Sequence, residues 1–443
     1  MANPLELPEP IDIKTAQPVD KKYGPYASLS DARTATAGYR YDGMTVKIVG
    51  TSQEYWWEAS DLSDLGLKVK VPISTSLPIV RELYLAADAA DVARMGGAAS
   101  NSYFTTQSVW DAAVAIATAN PTYLIVIHVG STLGSAVGDI TVNTNVASKI
   151  KWVGTNSASS AIGNITWSSG NGQTYYFKNL TVGTFGTIGG TTGVNATITA
   201  EDAVIGNITY VGSAQSLSLL NCSNFIVGDI SISGQGNNPG ALYIRSCKTL
   251  YLGNITGLLT SSIQCLASPT DGVYPVSIKS ITMGITAPRG STLALNGAFV
   301  SGNINFTSTA AFPKTVTLTN TTITGSTTIN LTGGTNTFNT INSTFIGVMT
   351  FTGAVLSTIV WRGCTTGKVT DMPPNTLFQN CSFYDPATAT PVINGIGSGC
   401  EFYNCSIVGG SLAIENTPGA VSVKFTGGMS SARSAMGVNV TLT

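Results

Sequence analysis

Charged side chains are scarce in this sequence. Its 22 Lys and Arg and 23 Asp and Glu make up 10% of 443 residues, where an ordinary globular domain carries roughly 25%. With a net charge of −1 and neither a basic patch nor an acidic run, nucleic acid and anionic membranes are not expected partners. Disorder is a poor explanation, because disordered chains combine low hydrophobicity with high net charge, and here 43% is apolar. Histidine occurs once, at His128 inside the apolar stretch Tyr123 to Val129. A core or cap position suits it better than a general base, since no partner can be nominated. No apolar run is long enough to span a bilayer. The stretch Met1 to Pro10 has neither the basic nor the apolar region of a cleavable signal. The Gly-rich stretch from Gly183 to Gly193 lacks the Lys-Ser/Thr of a phosphate loop, and no cofactor is expected.

What is present is repetition. Gly-Asn-Ile-Thr or a variant begins at Gly138, Gly163, Gly206, Gly228 and Gly253, with degenerate copies at Gly302, Gly325, Gly347, Gly367 and Gly410. The gaps are 25, 43, 22, 25, 49, 23, 22, 20 and 43 residues. The long gaps are near double the short ones, and weak copies at Gly183 and Gly284 would fill two of them. A fixed period of this size marks a solenoid whose neighbouring repeats bury each other's apolar face. Short alternating segments such as Leu242-Tyr243-Ile244 and Val316-Thr317-Leu318 give each repeat two or three short strands, which favours a parallel β-helix. Roughly thirteen coils at about 4.8 Å each would make a rod about 60 Å long.

A second phrase runs in step: Asn221-Cys222-Ser223, Asn380-Cys381-Ser382 and Asn404-Cys405-Ser406. Asn recurring at one corner is expected to bond its neighbours as an amide ladder. Several cysteine gaps follow the same period, 25 between Cys222 and Cys247, then 17 and 24 from Cys364 through Cys381 to Cys405. Stacked, reduced interior thiols are expected, and no metal site.

The chain divides into five parts. Residues 1–24, interrupted by Pro4, Pro8, Pro10 and Pro18, read as an extended arm. Residues 25–70 read as a small α/β module: a helix capped by Ser28 or Ser30, then strands at 44–49, 54–58 and 65–70. Tyr55, Trp56 and Trp57 are either core plus one exposed ring or a docking surface. Residues 71–120 form a connector, with helical composition from Ala86 to Met95 and a clear helix over Ser108–Ala119 that would cap the solenoid. The β-helix spans 121–428, and 429–443 form a tip. A glycosidase needs two carboxylates about 5 to 10 Å apart. Among the few available, Asp385 and Glu401 could be neighbours, whereas Asp139 and Asp229 stand where other copies have Asn and read as corner residues.

Residues 18–70, with Val19 to Tyr26, Tyr39-Arg40-Tyr41-Asp42-Gly43-Met44 and Glu54-Tyr55-Trp56-Trp57, resemble a small module at the N-terminus of tailed-bacteriophage virion proteins. The repeats and the helices before them are similar to β-helical fibre proteins of crAss-like and other phages of Bacteroidetes. The resemblance implies a virion fibre or receptor-binding protein, a homotrimer made in the host cytoplasm, attached to other virion proteins through residues 1–70. Tyr23, Tyr26, Arg40, Tyr41, Tyr55, Trp56 and Trp57 would dock it, and a host surface glycan or receptor would be its partner. No catalytic residue is carried over. The alternative is a tailspike depolymerase that cleaves a host glycan.

Overall fold

The structure, a computed structural model, describes residues 25–38, 40–50, 54–57, 61–70, 79–130, 138–142, 147–167, 173–187, 195–212, 216–234, 240–258, 260–266, 276–285, 291–309, 311–352, 358–386, 390–409, 412–415, 420–427, 430–431 and 440–442. It falls into two units, residues 1–78 and 79–443. The arm at 1–24 lies outside the described residues.

In the first unit, helix α1 (Leu29–Thr36) starts at Ser28, whose hydroxyl accepts the Asp31 N–H at 3.1 Å. Three strands, Thr45–Lys47, Glu54–Trp57 and Leu67–Lys70, form an antiparallel sheet in chain order. Its core is small: Ala32, Met44, Val46, Ile48, Trp57 and Leu67. The expected third strand starts later than 65, because Asp64–Gly66 form a 3-10 turn capped by Ser63.

The second unit is a parallel β-helix with three sheet faces. The first face starts at Val80–Leu85, continues through Leu124–Val129 and Ile150–Gly154, and ends with Val421–Thr426 and Val440–Leu442. The second runs from Ala161–Ile162 to Ser430–Ser431, and the third from Ile140–Val142 to Ile414–Glu415. Strand pairing therefore extends beyond 121–428 at both ends. Alternation at the strand period aims one residue in two inward, so Ile198, Leu217, Leu242, Ile263, Leu293 and Val316 are all buried in one continuous core. Toward the C-terminal end an aromatic column takes over on the first face. Trp361, Phe378, Phe402 and Phe425 stack with ring centroids 5.6, 4.6 and 4.7 Å apart.

Two helices precede the repeats. Helix α2 (Ala89–Arg94) is capped by Asp88, which accepts the Asp91 N–H at 2.8 Å, and Gly96 with φ +79° closes it. Helix α3 (Thr106–Ala119) begins two residues before the expected start, because Thr105 supplies the cap. Its Val109, Trp110, Ala113 and Ala117 join the solenoid core, and Trp110 stacks on Trp152 at 6.3 Å. Gln107 accepts the backbone N–H of Thr141, on the first strand of the third face, at 3.1 Å. The helix thus covers the core end and takes up an edge donor, as a cap must.

The corners differ. Between the first and second faces most turns are two residues long, as at Asn179-Leu180 and Asn221-Cys222. Between the third and first faces the connection varies from one residue (259) to eight (188–195).

Candidate functional site

The repeat phrase is a corner device. At the junction of the second and third faces the Gly residues of successive coils stack so closely that a Cβ at Gly163, Gly228, Gly253 or Gly325 would overlap the carbonyl of the glycine one coil earlier. The residue after each glycine forms the amide ladder. Asn164 donates its N–H to Oδ1 of Asp139, and Thr184 donates its own to Oδ1 of Asn164, both at 2.8 Å. Asp229 donates to Asn207 and Asn254 to Asp229, again at 2.8 Å, and Ser326 to Asn303 likewise. An acceptor oxygen is all the next coil requires, so Asp and Asn interchange. Asp139 and Asp229 are structural.

The ladder expected at the Asn-Cys corner is therefore found at the other corner. Asn179, Asn221, Asn320, Asn342, Asn380 and Asn404 have φ between 48° and 55°. They suit the left-handed conformation that Asn tolerates better than most side chains, although Asp202 and Ser246 also adopt it at this corner. Gly297, Gly363 and Gly427 serve at the same corner. Coil-to-coil bonding there runs through the backbone, for example Asn320 N–H to the Ile341 carbonyl at 2.9 Å. Of the weak repeat copies, Gly183 is in phase, since Phe185 pairs with Ile165 and Ile208. Gly284 is not: Ile281 pairs with Ile255 and Ile304, so the coil's own copy is Lys279-Ser280-Ile281-Thr282. The Gly410 copy is also two residues out of phase, because Ile414 continues the column of Val369 and Ile393.

The residue after the left-handed corner is buried and, Leu180 apart, small, and five cysteines, Cys222, Cys247, Cys364, Cys381 and Cys405, sit there. All seven cysteines are buried, and none forms a disulfide. Its hydrogen bond to the Cys247 sulfur on the next coil, together with burial, raises the Cys222 thiol, and burial raises Cys400. Cys400 and Cys405 are close in sequence, but Cys400 opens a strand of the first face and Cys405 sits in the following turn. No group of metal-ligating side chains occurs among the described residues. We expect no reaction with a charged disulfide reagent while the protein is folded and seven equivalents after unfolding. Rapid labelling of the folded protein would contradict the burial.

The carboxylates do not pair. Asp385 is on the second face and Glu401 on the first, so the expected neighbourhood does not form. Glu201 takes Lys178 at 2.8 Å and Glu401 takes the Tyr403 hydroxyl at 2.7 Å. No described carboxylate of the solenoid faces another on the adjacent coil. His128 does have neighbours that its sequence context concealed. Tyr84 stacks on it at 5.0 Å, and Glu82 lies 3.7 Å from Nε2 while accepting the Tyr84 hydroxyl at 3.0 Å. Period-two alternation on two strands separated by the connector helices brings them together. Nearby, an open cavity of about 540 Å³ is lined by Arg81, Glu82, Asn101, Tyr103 and Ile116 among others.

The seven candidate docking residues separate by role. Tyr23 lies outside the described residues. Trp57 is fully buried, and its Nε1 donates to the Ser63 carbonyl at 2.9 Å. The Arg40 guanidinium lies 5.1 Å over the Trp57 ring and bonds the carbonyls of Arg33 and Leu62 and the carboxylate of Asp64. It staples the module together, a role its sequence neighbours do not disclose. Tyr26 bridges to Ile48 and, like Tyr55, is half-buried against the core. Trp56 lies on the opposite sheet face, between Thr45 and Lys68, and Tyr41 is 50% exposed. Of the described six only Tyr41 is largely exposed; Trp56, on the sheet face away from the core, is half-buried. No family model, curated protein or solved structure matches the chain.

Proposed function

We propose that this chain is a structural and adhesive virion protein of a tailed phage, a fibre or spike that docks through residues 1–70 and presents its solenoid to the host. The observation that carries the reading is the division into a small N-terminal unit with its own core and a separate, uninterrupted stack of coils. A rod of stacked coils gives reach and a long regular surface, and the small unit offers Tyr41 and Trp56 as anchors of the kind that dominate interfaces. Fold alone does not assign function, so the resemblance of residues 18–70 to virion attachment modules supplies the phage context. The partner implied is a host surface glycan or receptor, and the location is the virion. Deleting residues 1–70 is expected to leave a folded β-rich protein that no longer joins particles. Normal incorporation of the truncated chain would overturn the proposal.

A further inference from the structure

The cap at the N-terminal end of the solenoid leaves one stretch of sheet edge open among the described residues. Strand Val80–Leu85 starts the first face and pairs on one side with Leu124–Val129. The Ile79 and Leu85 carbonyls accept from the Leu124 and Gly130 N–H groups at 3.0 Å, so the odd-numbered residues carry that parallel ladder. The backbone groups of Val80, Glu82 and Tyr84 face the other way. There Ser102–Tyr103 covers only Tyr84 and Leu85, and the Asn101 side chain donates to the Glu82 carbonyl at 3.0 Å. No described residue bonds the Val80 N–H and carbonyl or the Glu82 N–H. On the third face, by contrast, Gln107 takes up the edge donor of Thr141. Folded proteins normally cover or blunt such an edge, yet here Ile79 and Val80 stand 50% and 48% exposed beside it.

The cavity of about 540 Å³ lies along this edge, and its size is that of a ligand site. Leu83, Tyr103 and Ile116 line it together with Arg81. Arg81 pairs with Ile125 as Leu83 does with Ile127, so both project to the same side of the sheet. Glu82 projects to the other side, where it accepts the Tyr84 hydroxyl and faces His128. The Arg81 guanidinium therefore has no acid beside it. It lies 5.2 Å over the Tyr123 ring and makes no hydrogen bond or ion pair with a described residue. The ring positions it, and its N–H fork stays free.

We propose that this edge binds an extended acidic peptide of a partner protein, which adds a strand beside Val80–Glu82 and sets a carboxylate on Arg81. A row of unused backbone groups recognises an extended main chain, and a planar guanidinium recognises a carboxylate. Alternation supplies the rest of the specificity. The peptide residue beside Arg81 is acidic, and the residue two positions along turns to the same side and is apolar, because it meets Leu83 and Ile116. The site lies wholly in the second unit and does not depend on the virion reading.

The test uses the full chain and a blocked, fluorescently labelled pentapeptide, Thr-Glu-Thr-Val-Thr, with binding read by anisotropy. A Kd on the order of 0.1 mM is expected for so small a contact. Arg81→Gln should weaken binding about tenfold and erase the preference over Thr-Gln-Thr-Val-Thr. Val80→Pro removes an edge donor while leaving the ladder to Leu124–Val129 alone, and should abolish binding with an unchanged β-sheet spectrum. The Val80 and Glu82 amides should exchange hydrogen rapidly in the free protein and slowly with the peptide, but not slowly with acetate. No binding at millimolar peptide, equal binding by either variant, or amides already protected in the free chain would overturn the proposal. So would tighter binding of polygalacturonate, a glycan that carries the same carboxylate.

Discussion

Gly228→Val is expected to destabilise the middle of the solenoid by about 3 kcal/mol or more, at the upper end of overpacking effects. The φ of this glycine is not in the left-handed region, so the argument is space alone. A Cβ there would overlap the Gly206 carbonyl and stand 2.6 Å from Oδ1 of Asn207. Neither can retreat. The Gly228 N–H donates to the Ile205 carbonyl at 3.0 Å, which holds the two coils together beside Gly206, and Asn207 accepts from Asp229 N–H at 2.8 Å. Accommodating a side chain would open the seam between two coils and break both bonds. Coils interact with their nearest neighbours only, so the variant should show a separate early transition in denaturant in place of a uniform shift. Asp229→Ala, which removes one ladder acceptor and leaves the space alone, should cost only about 1 kcal/mol. If both variants melt alike, close approach is not the reason for glycine.

Trp361→Ala is expected to cost about 3–5 kcal/mol, the range for deleting a large aromatic from a packed core. Trp361 is fully buried and lies 5.6 Å from Phe338, 5.3 Å from Phe345 and 5.6 Å from Phe378, so three coils share the cavity it would leave. Its Nε1 is buried without a hydrogen-bond partner, which is itself a cost. Trp361→Phe removes that orphan donor along with some volume, and is expected to fall within about 1.5 kcal/mol of the wild type. Denaturant midpoints for the two variants check both values. Equal losses would mean the indole nitrogen has a partner after all.

The repeat phrase made the β-helix legible, because glycine, amide and Ile-Thr record three separate physical demands: close approach, an acceptor for the next coil, and one inward side chain per strand start. The helices were legible through composition and the apolar stripe of 108–119, whereas the Thr105 cap that sets the true start of the second was not. Several features were not. Which corner held the amide ladder could not be read from Asn alone, since the residue serves both as an acceptor and as a bearer of positive φ. The phase of degenerate coils was lost where Lys279 or Leu412 replaced glycine. The Glu82, Tyr84 and His128 cluster and the Arg40 staple join residues far apart in sequence, and a single alternating strand does not show which strand lies beside it.

The variable connection between the third and first faces has a consequence for how this protein could change. One to eight residues bridge the same gap in different coils, while the sheets on either side keep their pairing. Insertion of new sequence at that edge should therefore be nearly neutral for folding, as longer surface excursions add little closure entropy. Diversification, natural or engineered, would then accumulate along one side of the shaft as a fringe of tolerated loops.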